Sequence, residues 1–330
     1  MPDPGIRYGL RLPPMGVREN LELAKYADRL GVDSSWVIET RLTADAVTPL
    51  GAYAAVTERM KMGTAVIPLW TRNPALIAQT FATLDANAPS RIILGLGAWW
   101  EPLATNVGVK RERAIRAMRE VVEAVRLLLK RDAPVTYLGD YVHLEDVFLD
   151  HDGAGGHDVK IFVAAVGPQM LRLAGRIADG VILNSNHTVA ATRRAVEEIR
   201  KGAEAAGRSM DSIERVKPLP LRVNRDRQAA LDFDKPRIAQ YIAQQPHVEG
   251  PTEVDPELAA RLKEVIPFPA TRAQVMEGAK LISNELVESL GCYGDVEEVV
   301  SRAGDFREAG VTLPITEGDR ELVDALAGVS

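Results

Sequence analysis

Glu39 is the carboxylate whose position in the sequence best suits acid–base chemistry. It follows the apolar run SSWVI (34–38), which predicts a strand. Partial burial favours the protonated form of a carboxyl group, so Glu39 could donate a proton near neutral pH. A structural ion pair with Arg41 or Arg72 is the alternative. Glu101 is a second candidate acid, for which a solvated carboxylate is the alternative.

The segment VGPQM (166–170) is the most specific signal for a ligand. A predicted strand ends here in small residues, and a helix begins with Pro168 at an early position, where the missing N–H costs nothing. Free backbone N–H groups and the positive end of the helix dipole then meet at one point, which favours an anion. An ordinary strand-to-helix turn is the alternative interpretation.

Aromatic and small residues follow other predicted strands. Trp70, Trp99 and Trp100, three of the four tryptophans in the chain, predict an aromatic wall for a planar ligand. Gly97 and Ala98 are small enough for a flat ligand to approach the backbone.

These residues need elements to position them, and the stretch 59–97 predicts one complete strand–helix–strand unit. The run 62–69 is rich in residues typical of a buried strand. Asn73-Pro74 marks a helix start, and Pro89 marks its end. The apolar run 92–96 then predicts the next buried strand. Units of this kind build parallel barrels.

The alternation of strands and helices continues along the chain and predicts a (β/α)8 TIM barrel with insertions, forming a single domain over residues 1–330. The predicted strands are 6–12, 34–38, 62–69, 92–97, 160–165, 181–184, 216–223 and 311–316. A hairpin is expected at 134–144, a flexible loop at 151–157, and helices at 273–290 and 296–309. The polar, proline-punctuated segment 225–269 interrupts the pattern and is interpreted as an insertion or lid.

Composition narrows the function classes. The chain has 40 basic and 46 acidic residues and a net charge of −6, which argues against nucleic acid and anionic membranes as partners. With one cysteine, Cys292, and neither a basic n-region nor an apolar h-region at the start, a soluble cytoplasmic protein is expected. The five histidines and Cys292 show no metal-ligand spacing, so no metal site is predicted. Lys160 begins a strand, at the wrong end of a barrel for Schiff-base chemistry.

Three segments resemble the bacterial luciferase-like superfamily, in the branch that uses the deazaflavin coenzyme F420. They are TRNPALIAQTFATLD with RIILGLG, IFVAAVGPQMLRLAGRIADGVILN, and GDVEEVVSRAGDFREAGV. The chain is similar to methylenetetrahydromethanopterin reductase and F420-dependent glucose-6-phosphate dehydrogenase. This resemblance implies hydride transfer between F420 and a small organic substrate, and a homodimer.

The resemblance also implies roles for particular residues. It implies a non-proline cis peptide between Ala65 and Val66 that backs the cofactor ring, and a phosphate held by the 166–170 segment with help from the turn 184–187. His187 could instead be a helix-cap neighbour without a ligand. The cofactor-binding candidates are Glu39, Ala65, Val66, Pro68, Gly97, Ala98, Ala165, Val166, Gly167, Pro168, Gln169, Met170, Asn184 and His187. The substrate-binding candidates are Arg11, Thr40, Trp70, Arg72, Trp99 and Trp100.

Two positions depart from the pattern of the family. Thr40 follows Glu39 where many relatives have Asp-His, and Arg11 replaces the glutamate of the methanopterin reductases. A guanidinium does not donate a proton at pH 7, so Arg11 weakens a pterin reductase assignment and favours an anchor for an anionic group. An FMN-dependent luciferase-like monooxygenase and a non-catalytic cofactor-binding barrel are the alternative functions.

Overall fold

The structure is a computed structural model that describes residues 6–150, 155–245 and 254–328. Two predicted segments lie partly outside these ranges. They are the loop 151–157, of which residues 151–154 are not described, and the segment 225–269, of which residues 246–253 are not described.

Eight parallel strand positions close into a barrel within the described residues, which confirms the predicted TIM-barrel fold. Seven positions hold one strand each: β1 (Gly9–Arg11), β2 (Ser34–Val37), β5 (Ile92–Gly97), β8 (Lys160–Ala164), β9 (Gly180–Ile182), β10 (Glu214–Pro218) and β13 (Leu313–Thr316). The eighth position holds β3 (Lys61–Thr64) and β4 (Ile67–Pro68). Around the barrel the order is β3, β2, β1, β13, β10, β9, β8, β5, and Met62 opposite Ile92 closes the ring.

The interruption between β3 and β4 is the cis peptide bond Ala65–Val66, which confirms the sequence prediction. Ala65 N donates to Val37 O at 2.8 Å, and Ile67 then pairs with Leu96. The chain therefore stays in one barrel position on both sides of the break.

Helices surround this barrel. The helices that follow barrel strands are α1 (Val17–Arg29), α2 (Val47–Ala54), α3 (Pro74–Asn87), α4 (Leu103–Asn106), α5 (Ala114–Lys130), α6 (Pro168–Ile177), α7 (Val189–Ala205) and α13 (Arg320–Ala327). The Asn73 side chain accepts from Ala75 N at 2.8 Å and Pro74 is the first residue of α3, as predicted. In the parts of the chain described, no helix is both long and apolar enough to span a bilayer.

Large side chains fill the barrel interior and leave the carboxyl end of the strands for a ligand. The interior cluster is Trp36, Ile93, Phe162, Ile182, Val216, Leu313 and Ile315. The Trp36 and Phe162 rings fit because glycines face them: a Cβ on Gly63 or Gly180 would lie 2.6 Å from the respective ring. The barrel is a packed core rather than a pore.

The predicted seventh strand, 216–223, is wrong in extent. Its first part is β10, but the chain leaves the barrel at Leu219-Pro220, because proline has no N–H to continue a ladder. Its second part, β11 (Leu221–Val223), pairs instead with β12 (Cys292–Gly294) in a separate two-stranded parallel sheet.

The segment interpreted as an insertion or lid, 225–269, is largely helical in its described residues. The segment forms α8 (Arg227–Gln244) and α9 (Pro256–Val265). Pro236 lies inside α8, and it made the helical pattern hard to see. The predicted helix 273–290 is two helices, α10 (Arg272–Ala279) and α11 (Asn284–Leu290), followed by α12 (Val296–Glu308). Helices α8 to α11 share a hydrophobic core of their own, so the role of 225–269 as a lid stays a prediction.

The predicted hairpin is confirmed. Strands β6 (Val135–Leu138) and β7 (His143–Val147) pair antiparallel. The buried Glu120 carboxylate accepts hydrogen bonds from the backbone N–H groups of Asp140, Tyr141 and Val142, which fixes the turn.

Candidate active site at the carboxyl ends of the barrel strands

A cavity of about 520 Å³ opens at the carboxyl end of the barrel. Its wall includes the last residues of β5, β8, β9 and β10, namely Gly97, Ala164, Ile182 and Pro218. This is the end at which barrels of this architecture carry active sites.

Most of the site residues predicted from the sequence meet in this cavity. Those in its wall are Arg11, Glu39, Thr40, Ala65, Val66, Gly97, Ala98, Trp99, Trp100, Ala165, Val166, Gly167, Met170 and Asn184. Those outside its wall are Pro68, Trp70, Arg72, Glu101, Pro168, Gln169 and His187. The shared location makes a common ligand possible and leaves each individual role a prediction.

Glu39 lies at the edge of the cavity in a fixed orientation. Arg72 Nη1 donates to its Oε1 and Arg72 Nη2 to its Oε2, both at 2.8 Å. Ala46 N donates to Oε2 at 3.1 Å. The side chain is 15% exposed. This is the ion pair with Arg72 that the sequence left as an alternative, and its two hydrogen bonds fix the orientation of the carboxylate.

The cis peptide and the end of β5 form a flat, apolar part of the wall. Ala65, Val66, Gly97 and Ala98 contribute it. A Cβ on Gly97 would lie 2.4 Å from Val66 Cγ2, so only glycine leaves the Val66 side chain where it is. The opposite side of Val66 is therefore free to face a ligand.

The 166–170 segment has the geometry of an anion site. Gly167 caps α6 without a side-chain hydrogen bond, and Pro168 is the first helical residue. A Cβ on Gly167 would meet nothing within 4 Å, so open space lies at the helix N-terminus. The first N–H groups of a helix have no partner within the helix and attract anions.

The turn after β9 lies next to this segment and is divided between two pockets. Asn184 lines the main cavity, whereas His187 lines a neighbouring, more open pocket of about 940 Å³ with Pro168. Val166 lines both. A ligand in the main cavity could therefore extend past Val166 to the surface.

Lys217 supports this turn from beneath, in a role that the sequence analysis missed. It is fully buried, and its Nζ donates to Asn184 O and Ser185 O, each at 3.1 Å. The Phe306 ring lies 5.3 Å from the same nitrogen. Burial lowers the pKa of Lys217 to about 7.

The tryptophans separate into two groups. Trp99 and Trp100 line the cavity, and neither indole N–H has a partner among the described residues. Trp100 is packed between the Arg41 guanidinium, 5.0 Å from its centroid, and the edge of Phe268. Trp70 instead donates to Ala98 O at 2.8 Å and lies outside the cavity, so it supports the wall from behind.

Glu101 has structural partners and no contact with the cavity. Its Oε2 accepts from Thr105 N at 3.1 Å and from Thr105 Oγ1 at 2.8 Å, and Arg111 Nη1 lies 3.6 Å from Oε1. The hydrogen bonds from Thr105 lower the pKa of Glu101. Proton donation by Glu101 stays a prediction, without support from this position.

Helix α8 contributes site residues that the sequence analysis missed. Arg237, Gln240 and Tyr241 line the cavity from one face of the helix, and Gln245 follows its end. Asn184 Nδ2 donates to Tyr241 Oη at 2.9 Å, and burial raises the pKa of Tyr241 to about 12. The spacing of three and four residues was the available signal, but Pro236 obscured it.

The described residues contain no group of three His, Cys, Asp or Glu side chains arranged to hold a metal ion. Cys292 is buried, and burial raises the pKa of its thiol to about 12.

Several known proteins are similar in sequence to this chain over most of its length. The sequence profile of the family described as luciferase-like monooxygenase matches residues 4–313. The 5,10-methylenetetrahydromethanopterin reductase of Archaeoglobus fulgidus is 26% identical over 93% of this chain and 92% of its own. The F420-dependent glucose-6-phosphate dehydrogenase of Kineococcus radiotolerans is 34% identical over 75% of each chain.

Solved structures agree on the fold. The coenzyme F420-dependent tetrahydromethanopterin reductase from Methanopyrus kandleri matches with a TM-score of 0.85 at 26% identity, over 98% of this chain and 97% of that one. An F420-dependent secondary alcohol dehydrogenase matches with a TM-score of 0.78 at 22% identity, over 98% of each chain, which shows the fold alone. The resemblance predicted from the sequence is confirmed. The chain belongs to the luciferase-like monooxygenase family.

Proposed function

We propose that this protein is an oxidoreductase that transfers a hydride between coenzyme F420 and a small organic substrate. The observation that carries the proposal is one cavity that combines a flat apolar wall, an uncapped helix N-terminus and a fixed carboxylate. The names of its relatives, which include F420-dependent glucose-6-phosphate dehydrogenases, support F420 as the cofactor.

The residues present fit a planar cofactor that carries a phosphate. Ala65 and Val66 would back the ring, with Gly97 leaving room for Val66. The open space at Gly167 and the unpaired N–H groups at the start of α6 would hold the phosphate. The indole N–H groups of Trp99 and Trp100 are further donors without protein partners in the described ranges.

A bound deazaflavin supplies a ring carbon that takes up or releases a hydride. The chain then has to orient the substrate and handle the proton that accompanies the hydride. Glu39, held in position by Arg72, would accept that proton from a substrate hydroxyl during oxidation and return it during reduction. The aromatic wall and the packed barrel beneath the cavity would keep bulk water from the reacting atoms.

An FMN-dependent monooxygenase is the second candidate, because the matching family is named for that activity. A panel of alcohols, hydroxy acids and enones, mixed anaerobically with the protein and F420, separates the possibilities. A change in cofactor absorbance that requires the protein supports hydride transfer to or from F420. Oxygen uptake with reduced FMN would establish the monooxygenase, and the absence of both would leave a non-catalytic cofactor-binding barrel.

The resemblance predicts a homodimer, and the single cysteine and the amino-terminal sequence predict a cytoplasmic protein; both properties stay predictions. Size-exclusion chromatography with light scattering at several protein concentrations tests the first of them.

A further inference from the structure

Two guanidinium groups from distant parts of the chain meet in the cavity. Arg11 is the last residue of β1, and Arg237 lies on α8. Burial lowers the pKa of Arg11, the Glu317 carboxylate opposes this shift, and the positive charge of Arg237 adds to it. Two like charges in one partly enclosed site repel each other, so their proximity needs a compensating negative charge.

The carboxylates around this pair do not compensate fully. Arg11 Nη2 lies 2.7 Å from Glu317 Oε1. Arg222 donates to both carboxylate oxygens of Asp234, at 2.9 and 3.1 Å. Arg237 Nε makes one longer contact with the same carboxylate, at 3.4 Å. Within the residues that the structure describes, three arginines therefore share these two carboxylates, and one positive charge is left without a carboxylate of its own.

The arginines also carry unused hydrogen-bond donors. Arg11 Nε is buried without a partner among the described residues. The two terminal nitrogens of Arg237 have no hydrogen bond or ion pair within the described ranges, but they differ from Arg11 Nε in belonging to a side chain that is 29% exposed. A buried donor without an acceptor costs free energy, which an oxygen of a bound anion would recover.

Arg11 lies across the barrel from the segment proposed to hold the cofactor phosphate. In the strand order, β1 is four positions from β8 in either direction, so β1 and β8 face each other across the ring. The helix N-terminus at Gly167 follows β8. One small anion cannot occupy both places, so the arginines are suited to a second ligand.

We propose that Arg11 and Arg237 form an anion subsite that holds a carboxylate or phosphate group of the substrate, so that the substrates are small organic anions. This rests on the proposed function, because it assigns the second ligand in the same cavity. A planar, charged fork on each side of an anion gives several charge-assisted hydrogen bonds in a defined orientation.

The test uses protein saturated with oxidised F420, so that the Gly167 site is filled. Inorganic phosphate and acetate are titrated by calorimetry at constant ionic strength into the wild type, Arg237→Met, Arg237→Lys and Arg11→Met. Arg119→Met, on the exposed face of α5, is the matched control. The dissociation constant for the anions should rise at least tenfold in both methionine variants, recover partly in Arg237→Lys, and stay unchanged in the control.

Several outcomes would overturn the subsite. They are no anion binding by the F420-saturated wild type, equal anion affinity in Arg237→Met, or a matching loss of F420 affinity, which would assign the arginines to the cofactor. Thermal unfolding of Arg237→Met, compared with the wild type, checks that a loss of anion binding does not come from misfolding, because the variant also loses the contact of Arg237 with Asp234. Failure of the wild type to bind F420 would overturn the proposed function instead.

Discussion

Arg72 holds both carboxylate oxygens of Glu39, each at 2.8 Å, from just outside the wall of the cavity. Each oxygen keeps lone pairs that the arginine does not use. We expect Glu39 to accept the substrate proton through these lone pairs while Arg72 holds the side chain in one orientation.

Replacing Glu39 tests this role. Glu39→Gln keeps the shape of the side chain and removes the proton acceptor, so turnover should fall on the order of 100-fold while F420 affinity changes little. Glu101→Gln is the matched control, since Glu101 bonds to Thr105 outside the cavity. Steady-state kinetics and F420 titrations of both variants check the prediction. Full turnover in Glu39→Gln, with a loss in Glu101→Gln, would reverse the assignment.

Substitutions at Gly167 test whether the start of α6 holds the cofactor phosphate. Gly167→Asp should weaken F420 binding at least tenfold, about 1.4 kcal/mol, because a carboxylate would lie where the phosphate is held. Gly167→Ala should bind normally, since a Cβ there meets nothing within 4 Å. Fluorescence titration compares the two. Unchanged affinity in a folded Gly167→Asp protein removes this segment from the site.

A substitution at Gly97 tests whether the apolar wall of the cavity contributes to cofactor binding. Gly97→Ala would place a Cβ 2.4 Å from Val66 Cγ2 and force Val66 to move at the cavity surface. We expect weaker F420 binding and a loss of about 1 to 3 kcal/mol in the free energy of unfolding, as for other overpacked sites. Denaturant unfolding and F420 titration measure the two effects. Wild-type values in both would mean that Val66 does not constrain the wall.

Lys217 predicts a dependence of stability on pH. Its pKa is about 7 in the folded protein, below the ordinary value of 10.5, because burial disfavours the charged form. Between these two values the unfolded chain binds more protons, so the contribution of Lys217 to stability rises with pH. Below pH 7 both states are protonated and the contribution is constant and least favourable.

Lys217→Met removes this dependence. The unfolding free energy of the wild type minus that of the variant should be flat below pH 7 and increase from pH 7 to 9, by at most on the order of 1 kcal/mol per pH unit. Urea unfolding at several pH values gives the difference. A difference that does not change with pH would mean that Lys217 titrates normally despite its burial.

The barrel was predictable from the sequence because its signals are local. Each buried strand is a short apolar run, and Asn73-Pro74 marks the start of α3 by a cap that needs only neighbouring residues. Local signals fail at Pro220, where the chain leaves the barrel. The sequence reads as one strand through 216–223, whereas β11 finds its partner in β12, some seventy residues further on.

The candidate site was predictable where residues lie at or just beyond the ends of barrel strands, as Gly97 and Glu39 do. The other residues depend on tertiary packing. Arg237 reaches the cavity because α8 folds back over the barrel, and its proximity to Arg11 has no sequence signature. Trp70 shows the converse, since it follows a strand and yet supports the wall through Ala98 O rather than lining it.

A fluorescence titration of the purified protein with oxidised F420, and separately with FMN, tests the use of F420 most directly. The cavity and the relatives predict saturable quenching of F420 fluorescence, with an affinity at least tenfold higher than for FMN and reduced in Gly167→Asp. Tighter binding of FMN, or no binding of F420 by the folded protein, would contradict F420-dependent hydride transfer.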